Sequence, residues 1–408
     1  MTRKRLAFAI LLAALVITAS PARGEDWYVT PWIEGRVEYN SNVLYTADDE
    51  LDDLVFHVRP GFSALYGSER TQWTWDTSLD GQIYADNPDL NTVEADSTAA
   101  VVRQWTDRLS TRLGLTFAKD ETLDAELRES GLVARRESRY RYGPDFSFAY
   151  LMTDRVGVEG GLGLRRTDYD SRIYPDRTTW MASLSPYYLV TPRDRVGVSF
   201  GVSGSDYEDT STIFTFTNSL FWRRDLSESS HILLSAGYRT TRTTLERDSV
   251  QIVIDPATNQ VRFVTVTDEE RYSDTGFIFN ASWAAKLTET VSVDLSAGRE
   301  QYNSVTAASN ERTFVRGSVS WLLSERTTAS LAAGYDYNQE EAGAGADQKT
   351  HYVRIAPGLS HRLTPRFSLQ GGAVYEHSFV KYRGSDEDKD RYRIWAGLRY
   401  VWERALEK

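Results

Sequence analysis

His57, His231, His351, His361 and His377 are the only histidines in a chain of 408 residues that has no cysteine. Without cysteine there is no disulfide framework, no thiolate metal site and no thiol nucleophile. A hydrolytic triad needs a histidine beside a serine and an orienting group on one face. Strand parity turns only His57 inward, and Ser63 on the same strand stands roughly 20 Å away at about 3.3 Å per residue. His351 and His377 fall on the apolar face near long loops, and His231 and His361 sit beside short turns. These placements argue against an enzyme and against a cofactor. Acidic runs at Asp48-Asp49-Glu50 with Asp52-Asp53, and at Asp386-Glu387-Asp388 with Asp390, supply oxygen ligands. Neither has the EF-hand spacing with its central glycine and terminal glutamate, so they read as solvated charge and no metal is expected.

The elements that carry these side chains read as strands. Arg3-Lys4-Arg5, the apolar run Leu6 to Ile17 and small residues around Ala22 and Gly24 form a signal-peptide pattern over residues 1–24, with cleavage after Ala22 or Gly24. Its loss removes up to four positive charges from a net of −11, so the exported remainder is too acidic for a nucleic-acid partner. A hydrophobic fraction of 41% excludes a helical membrane bundle but not strands that alternate apolar and polar. Polar turns recur about every 40 residues, a spacing that demands a repeat architecture. They lie at Gly67 to Arg70, Thr106 to Arg108, Thr153 to Arg155, Thr191 to Arg195, Asp225 to Ser229, Leu287 to Thr290, Ser324 to Arg326 and Thr364 to Arg366. After Arg195, Val196, Val198, Phe200 and Val202 alternate with Gly197, Ser199, Gly201 and Ser203, one apolar face against one polar face.

A soluble sandwich can alternate in this way too. Three features favour a membrane-spanning barrel. The turns on one side are short, whereas the other side carries polar stretches at Asp48 to Asp53, Lys119 to Glu137, Asp248 to Glu270, Gln339 to Lys349 and Arg383 to Asp390. Trp73, Trp75, Trp105, Trp222, Trp283, Trp321 and Trp402 cluster beside the short turns, as an interfacial aromatic girdle would. Strands of about 10 to 14 residues cross a bilayer at a tilt. Two strands per interval give an all-β transmembrane antiparallel barrel over 25–408 with about 18 strands, 16 being the alternative. The last strand ends on Trp402 and is followed by an overhang, Glu403 to Lys408. The stretch Thr122 to Arg136 reads as a short helix in or over the mouth.

Parity sends a mixed charge set inward. The cations are Arg36, Arg59, Arg112, Arg139, Arg141, Arg316, Arg354, Arg391 and Arg393. The anions are Glu34, Glu38, Asp76, Asp80, Asp145, Glu159, Asp206, Asp274, Asp294, Asp336 and Glu376. Such residues either tune a water-filled pore or pair across strands to stiffen its wall. Tyr84, Tyr272, Tyr352 and Trp395 also point inward, either as a track for sugar rings or as packing.

Tyr39-Asn40-Ser41-Asn42-Val43-Leu44-Tyr45, an acidic stretch and Val58-Arg59-Pro60-Gly61-Phe62 together resemble the opening of the β-barrel porin-2 family of bacterial outer-membrane proteins. The proline echo recurs at Gly143-Pro144, Ser185-Pro186 and Ala356-Pro357, where a bulge or local bend is expected. Family members often lie in exopolysaccharide gene clusters. The resemblance therefore implies an outer-membrane conduit for an exported polysaccharide, working with periplasmic polysaccharide-export components. A general diffusion porin for small solutes is the alternative, and a structural or adhesion barrel with a plugged lumen is the third reading. In each case the surroundings are outer-membrane lipid and lipopolysaccharide, with insertion by the barrel-assembly machinery.

Overall fold

The computed structural model describes residues 27–170, 173–208, 210–254, 261–303, 305, 309–340, 348–382 and 385–402. The leader at 1–24, the overhang at 403–408, the core of the expected loop at 341–347 and Arg383 lie outside the described residues. In chain order the strands are β1 (Trp27–Asn40), β2 (Asp53–Gly67), β3 (Thr71–Tyr84), β4 (Thr92–Thr106), β5 (Leu109–Glu121) and β6 (Ser138–Leu151). Then come β7 (Val156–Tyr169), β8 (Arg177–Leu189), β9 (Asp194–Tyr207), β10 (Ser211–Ser227), β11 (Ser230–Ile254) and β12 (Val261–Lys286). The last are β13 (Val291–Asn303), β14 (Ser309–Ser324), β15 (Thr327–Glu340), β16 (Gln348–Arg362), β17 (Phe367–Tyr382) and β18 (Ser385–Val401). One helix, α1 (Thr122–Glu129), lies in the β5–β6 connection.

Each strand pairs antiparallel with its sequence neighbours, and β1 also pairs with β18 from Trp32↔Val401 to Asn40↔Arg393. The sheet is thus a closed barrel of 18 strands, the form that leaves no strand edge for a membrane to solvate. All eight short connections fall at the turn signals, and the reason is local. The Thr106 hydroxyl accepts from the amides of Arg108 and Leu109, and Thr153, Thr191, Thr288 and Thr364 repeat this contact two and three residues on. A threonine at the first turn position supplies the hydrogen bond that reverses the chain.

Several strands run longer than expected. β11 and β12 have 25 and 26 residues and stay paired to Ile254↔Val261, so Asp248 to Glu270 is mainly a hairpin. Likewise, residues Asp386 to Asp390 belong to β18 and pair with β17. Polar composition had suggested loops there, but outside the bilayer a strand needs no apolar face.

The four prolines interrupt pairing without displacing it. The β2–β3 ladder skips from Val58↔Gly81 to Gly61↔Ser78, and equivalent gaps occur at Pro144, Pro186 and Pro357 with the register unchanged. The expected bulges are therefore absent at these sites. Register shifts instead adjoin short turns, at Gln104/Thr106, Asp225/Ser227 and Leu322/Ser324. A missing N–H removes a donor but does not insert a residue. Gly143, beside Pro144, is required by a close approach, because a Cβ there would meet the backbone of Leu164.

Outward positions carry the apolar set, with Leu220 at 68% accessibility and Ile394 at 60%. The seven girdle tryptophans share that face. Trp105 and Trp222 also bond their indole nitrogens to Thr111 and Asp194. A second outward aromatic band lies toward the loop side, in pairs such as Trp180–Phe214, Tyr238–Phe277 and Tyr375–Tyr392. Leu220→Arg should cost about 2–4 kcal/mol of unfolding free energy in liposomes, whereas the inward neighbour Ser219→Arg should cost much less. Equal losses in a urea titration would refute the assignment of faces.

Candidate functional site

The lumen is crowded at one end. Near the short turns the inward side chains of Tyr28, Leu65 and Val102 keep 37–41% of their surface accessible. Toward the loops Arg139, Tyr352, Glu376 and Arg391 fall to 2% or less. Two elements fill that outer half. The first is α1, which folds inward instead of covering the mouth. Eight residues are too few for an independently stable helix, so its contacts hold it. Leu123 and Leu127, one turn apart, pack with Tyr45, Tyr352 and Val133. Past the helix, Gly131 adopts φ 73° and its amide bonds to the carbonyls of Glu126 and Leu127. A Cβ at this position would crowd Tyr352 and Asp336, so only glycine fits this helix end.

Around this apolar contact stands a ring of charge. Arg139 Nε lies 2.6 Å from Asp120 and its Nη1 2.6 Å from Glu126, while Arg141 Nη1 lies 2.6 Å from Glu129. Across the lumen, Arg391 Nη2 is 2.9 Å from Asp124 and 2.8 Å from Glu376, and Arg393 is 3.1 Å from Glu376. The Tyr352 hydroxyl donates to Glu376 at 2.7 Å. Arg316 and Arg312 donate to the Glu129 carbonyl, and Asn338 donates to that of Ser130. Burial alone would raise the Asp124 carboxyl, but Arg391 and Arg393 outweigh it and hold it well below the usual carboxylate range.

The second element is the loop-side end of β13 and β14, which sequence parity did not reveal. Pairing between β12 and β13 stops at Phe279↔Arg299, although each strand continues with its other neighbour. From there β13 leans inward. Gln301 reaches Thr215 and Thr241, Tyr302 donates to Glu126 on α1, and Asn303 bonds to Ser205 and Arg177. Val305 then packs with Ala134, Tyr169 and Tyr174.

The remaining expected residues fall into local sets. Arg36 contacts His57 at 3.1 Å and Glu38 at 3.2 Å, and Asp80 holds the other ring nitrogen of His57 at 3.1 Å. Both imidazole nitrogens are therefore taken by charged neighbours, not by a serine. Arg59 stands between Glu34 and Asp80, Arg112 pairs with Asp145, and Glu159 pairs with Arg195. Asp274 pairs with Arg239, Asp336 with Arg316, and Arg354 lies 3.8 Å from Glu376. Asp76 and Asp294 occupy inward register positions opposite Ser63 and Ser318. Tyr84 and Tyr352 are buried, and Arg36 stacks on Trp395.

Asp206 is a correction. It pairs in register with Thr178, two positions from the outward pair Trp180↔Gly204, so it lies on the outer face, where Thr212 donates to it. A charged residue beyond the apolar zone on the lipid parity sits at the rim, and its charge alone does not send it inward. Among the acidic runs, Asp53 accepts from the amides of Ala85, Asp86 and Asn87, and Asp390 accepts from Tyr375. Among the described residues, no cluster of His, Asp and Glu has the arrangement to hold a metal ion.

A closed antiparallel barrel with an apolar exterior, aromatic bands at both rims and a charged interior is a bacterial outer-membrane β-barrel of porin type. No family model matches the chain, and no curated protein matches it. Among solved structures it is similar to the outer membrane protein OpdK from Pseudomonas aeruginosa, at 10% identity over 92% of this chain and 99% of that one, with a TM-score of 0.44. It is also similar to OccAB1 from Acinetobacter baumannii, at 11% identity over 94% and 99%, with a TM-score of 0.46. A third is the ferric-catecholate import receptor Fiu from E. coli in its open form, at 9% identity over 94% and 82%, with a TM-score of 0.48. At these identities the likeness concerns the fold alone.

Removing one member of a buried ion cluster leaves its partners uncompensated. Arg391→Met should lower stability by about 3–5 kcal/mol, and adding Glu376→Gln should recover part of the loss; denaturant titration of the folded barrel measures both. For Asp124 the folded pKa is depressed, so its stabilisation is complete above the unfolded value of about 3.9 and is lost as pH falls through the lower folded value. The penalty of Asp124→Asn should therefore persist to about pH 4 and vanish only in stronger acid.

Proposed function

We propose that this barrel is a passive channel for small solutes, narrowed in its outer half by α1 and the β13–β14 end. The observation that carries the reading is the position of α1: it is fixed inside the lumen by contacts to strands on opposite walls. The periplasmic half stays accessible, and beneath α1 a cavity of 520 Å³ is lined by Arg128, Asp294, Arg316 and Arg354. Mixed charge in a wet constriction selects solutes by size and sign.

Polysaccharide export is less well supported. Two of the four aromatic residues that would offer a sugar track are packed instead, Tyr352 under α1 and Tyr84 beneath Arg136. A polymer also needs a wider passage than one crossed by two inward elements.

In planar bilayers the wild-type protein should give a small, steady conductance. Leu123→Ser combined with Leu127→Ser removes the apolar anchorage of α1 but keeps its ion pairs, and conductance should rise several-fold. A folded wild-type and a folded variant that both fail to conduct would overturn the channel reading.

A further inference from the structure

Most lumen guanidiniums have carboxylate partners, but Arg165 and Arg177 are among those that do not. Arg165 on β7 is exposed to the lumen and has no ion pair, and Arg177 on β8 bonds only to the Tyr207 hydroxyl and the Asn303 carbonyl. Among the described residues no carboxylate lies within ion-pair distance of either. The register makes them neighbours. Arg165 pairs with Thr179, which places Arg177 on one diagonal and Met181 on the other, and diagonal side chains are within reach of each other. Arg139 and Arg141 add positive charge nearby, while the acids on this side are already held, Glu129 by both of them and Asp145 by Arg112.

Below Arg165 the inward positions of β7 are Gly163 and Gly161, and across Met181 and Ser183 of β8 the inward positions of β9 are Ser203 and Gly201. Their small size leaves a cavity of 860 Å³ that Arg165, Arg177, Met181 and Ile278 line. Met181 points into the lumen yet keeps 46% of its surface accessible. Unneutralised cations beside exposed apolar surface are unfavourable in an empty wall and complementary to an amphiphilic anion.

We propose that this bay binds small organic monocarboxylates, with the carboxylate at Arg165 and Arg177 and a short aliphatic body along Met181. The inference deepens the channel reading and rests on it for its physiological meaning, but its test does not require conduction. Hexanoate is titrated calorimetrically into the full-length protein in detergent micelles, with hexanol and acetate as controls. Wild-type protein should bind hexanoate, acetate more weakly and hexanol not at all. Arg165 has no structural partner, so Arg165→Gln should fold and should weaken hexanoate binding about tenfold or more, the loss of one charge-assisted contact. Met181→Ser should reduce hexanoate binding and leave acetate binding unchanged. Binding that survives Arg165→Gln, or no hexanoate binding by wild-type protein, would overturn the bay while leaving the channel reading intact. Hexanoate binding by a barrel that never conducts would sink the channel and not the site.

Discussion

Closure of the ladder between β1 and β18 is the constraint from which the other features follow. A bilayer offers no hydrogen bonds, so each backbone amide that it surrounds must find its partner within the protein. Once the ring is complete, strand parity has only two meanings, lipid or lumen. The apolar set then has to face out, and the charged set is enclosed by the wall.

Enclosure makes those charges costly unless they are paired. The outer half of the lumen meets this cost collectively: Asp120, Asp124, Glu126, Glu129 and Glu376 are shared among Arg139, Arg141, Arg391 and Arg393. Because three of those five carboxylates, Asp124, Glu126 and Glu129, lie on α1 itself, the helix is part of the charge balance of the wall. The pairing that stabilises the barrel and the narrowing of its lumen therefore have a common origin.

Much of this was legible in the sequence, for identifiable reasons. Threonine at the head of a turn, tryptophan beside it and strict alternation between turns are local signals, and they placed the strands and the faces. Information carried by distant contacts was not legible. Nothing near Thr122 reports that its helix will meet Arg391, and nothing in Gln301 or Asn303 reports that β13 leaves the wall. Asp206 departs from the inward charge set because a polar residue at a strand end has a third environment, the rim. The outer part of the long β11–β12 hairpin has the composition of a loop because hydropathy stops carrying a strand signature once the lipid is left behind.

That hairpin also works as a depth gauge. β10 accompanies β11 only as far as Leu245, and β13 accompanies β12 only from Phe279, so beyond those pairs no described residue covers the hairpin's two backbone edges. Hydrocarbon cannot receive such edges, but water can. The outer surface of the bilayer must therefore lie at or below the level of Phe279 and Arg299, and the ladder itself fixes how deeply the protein sits.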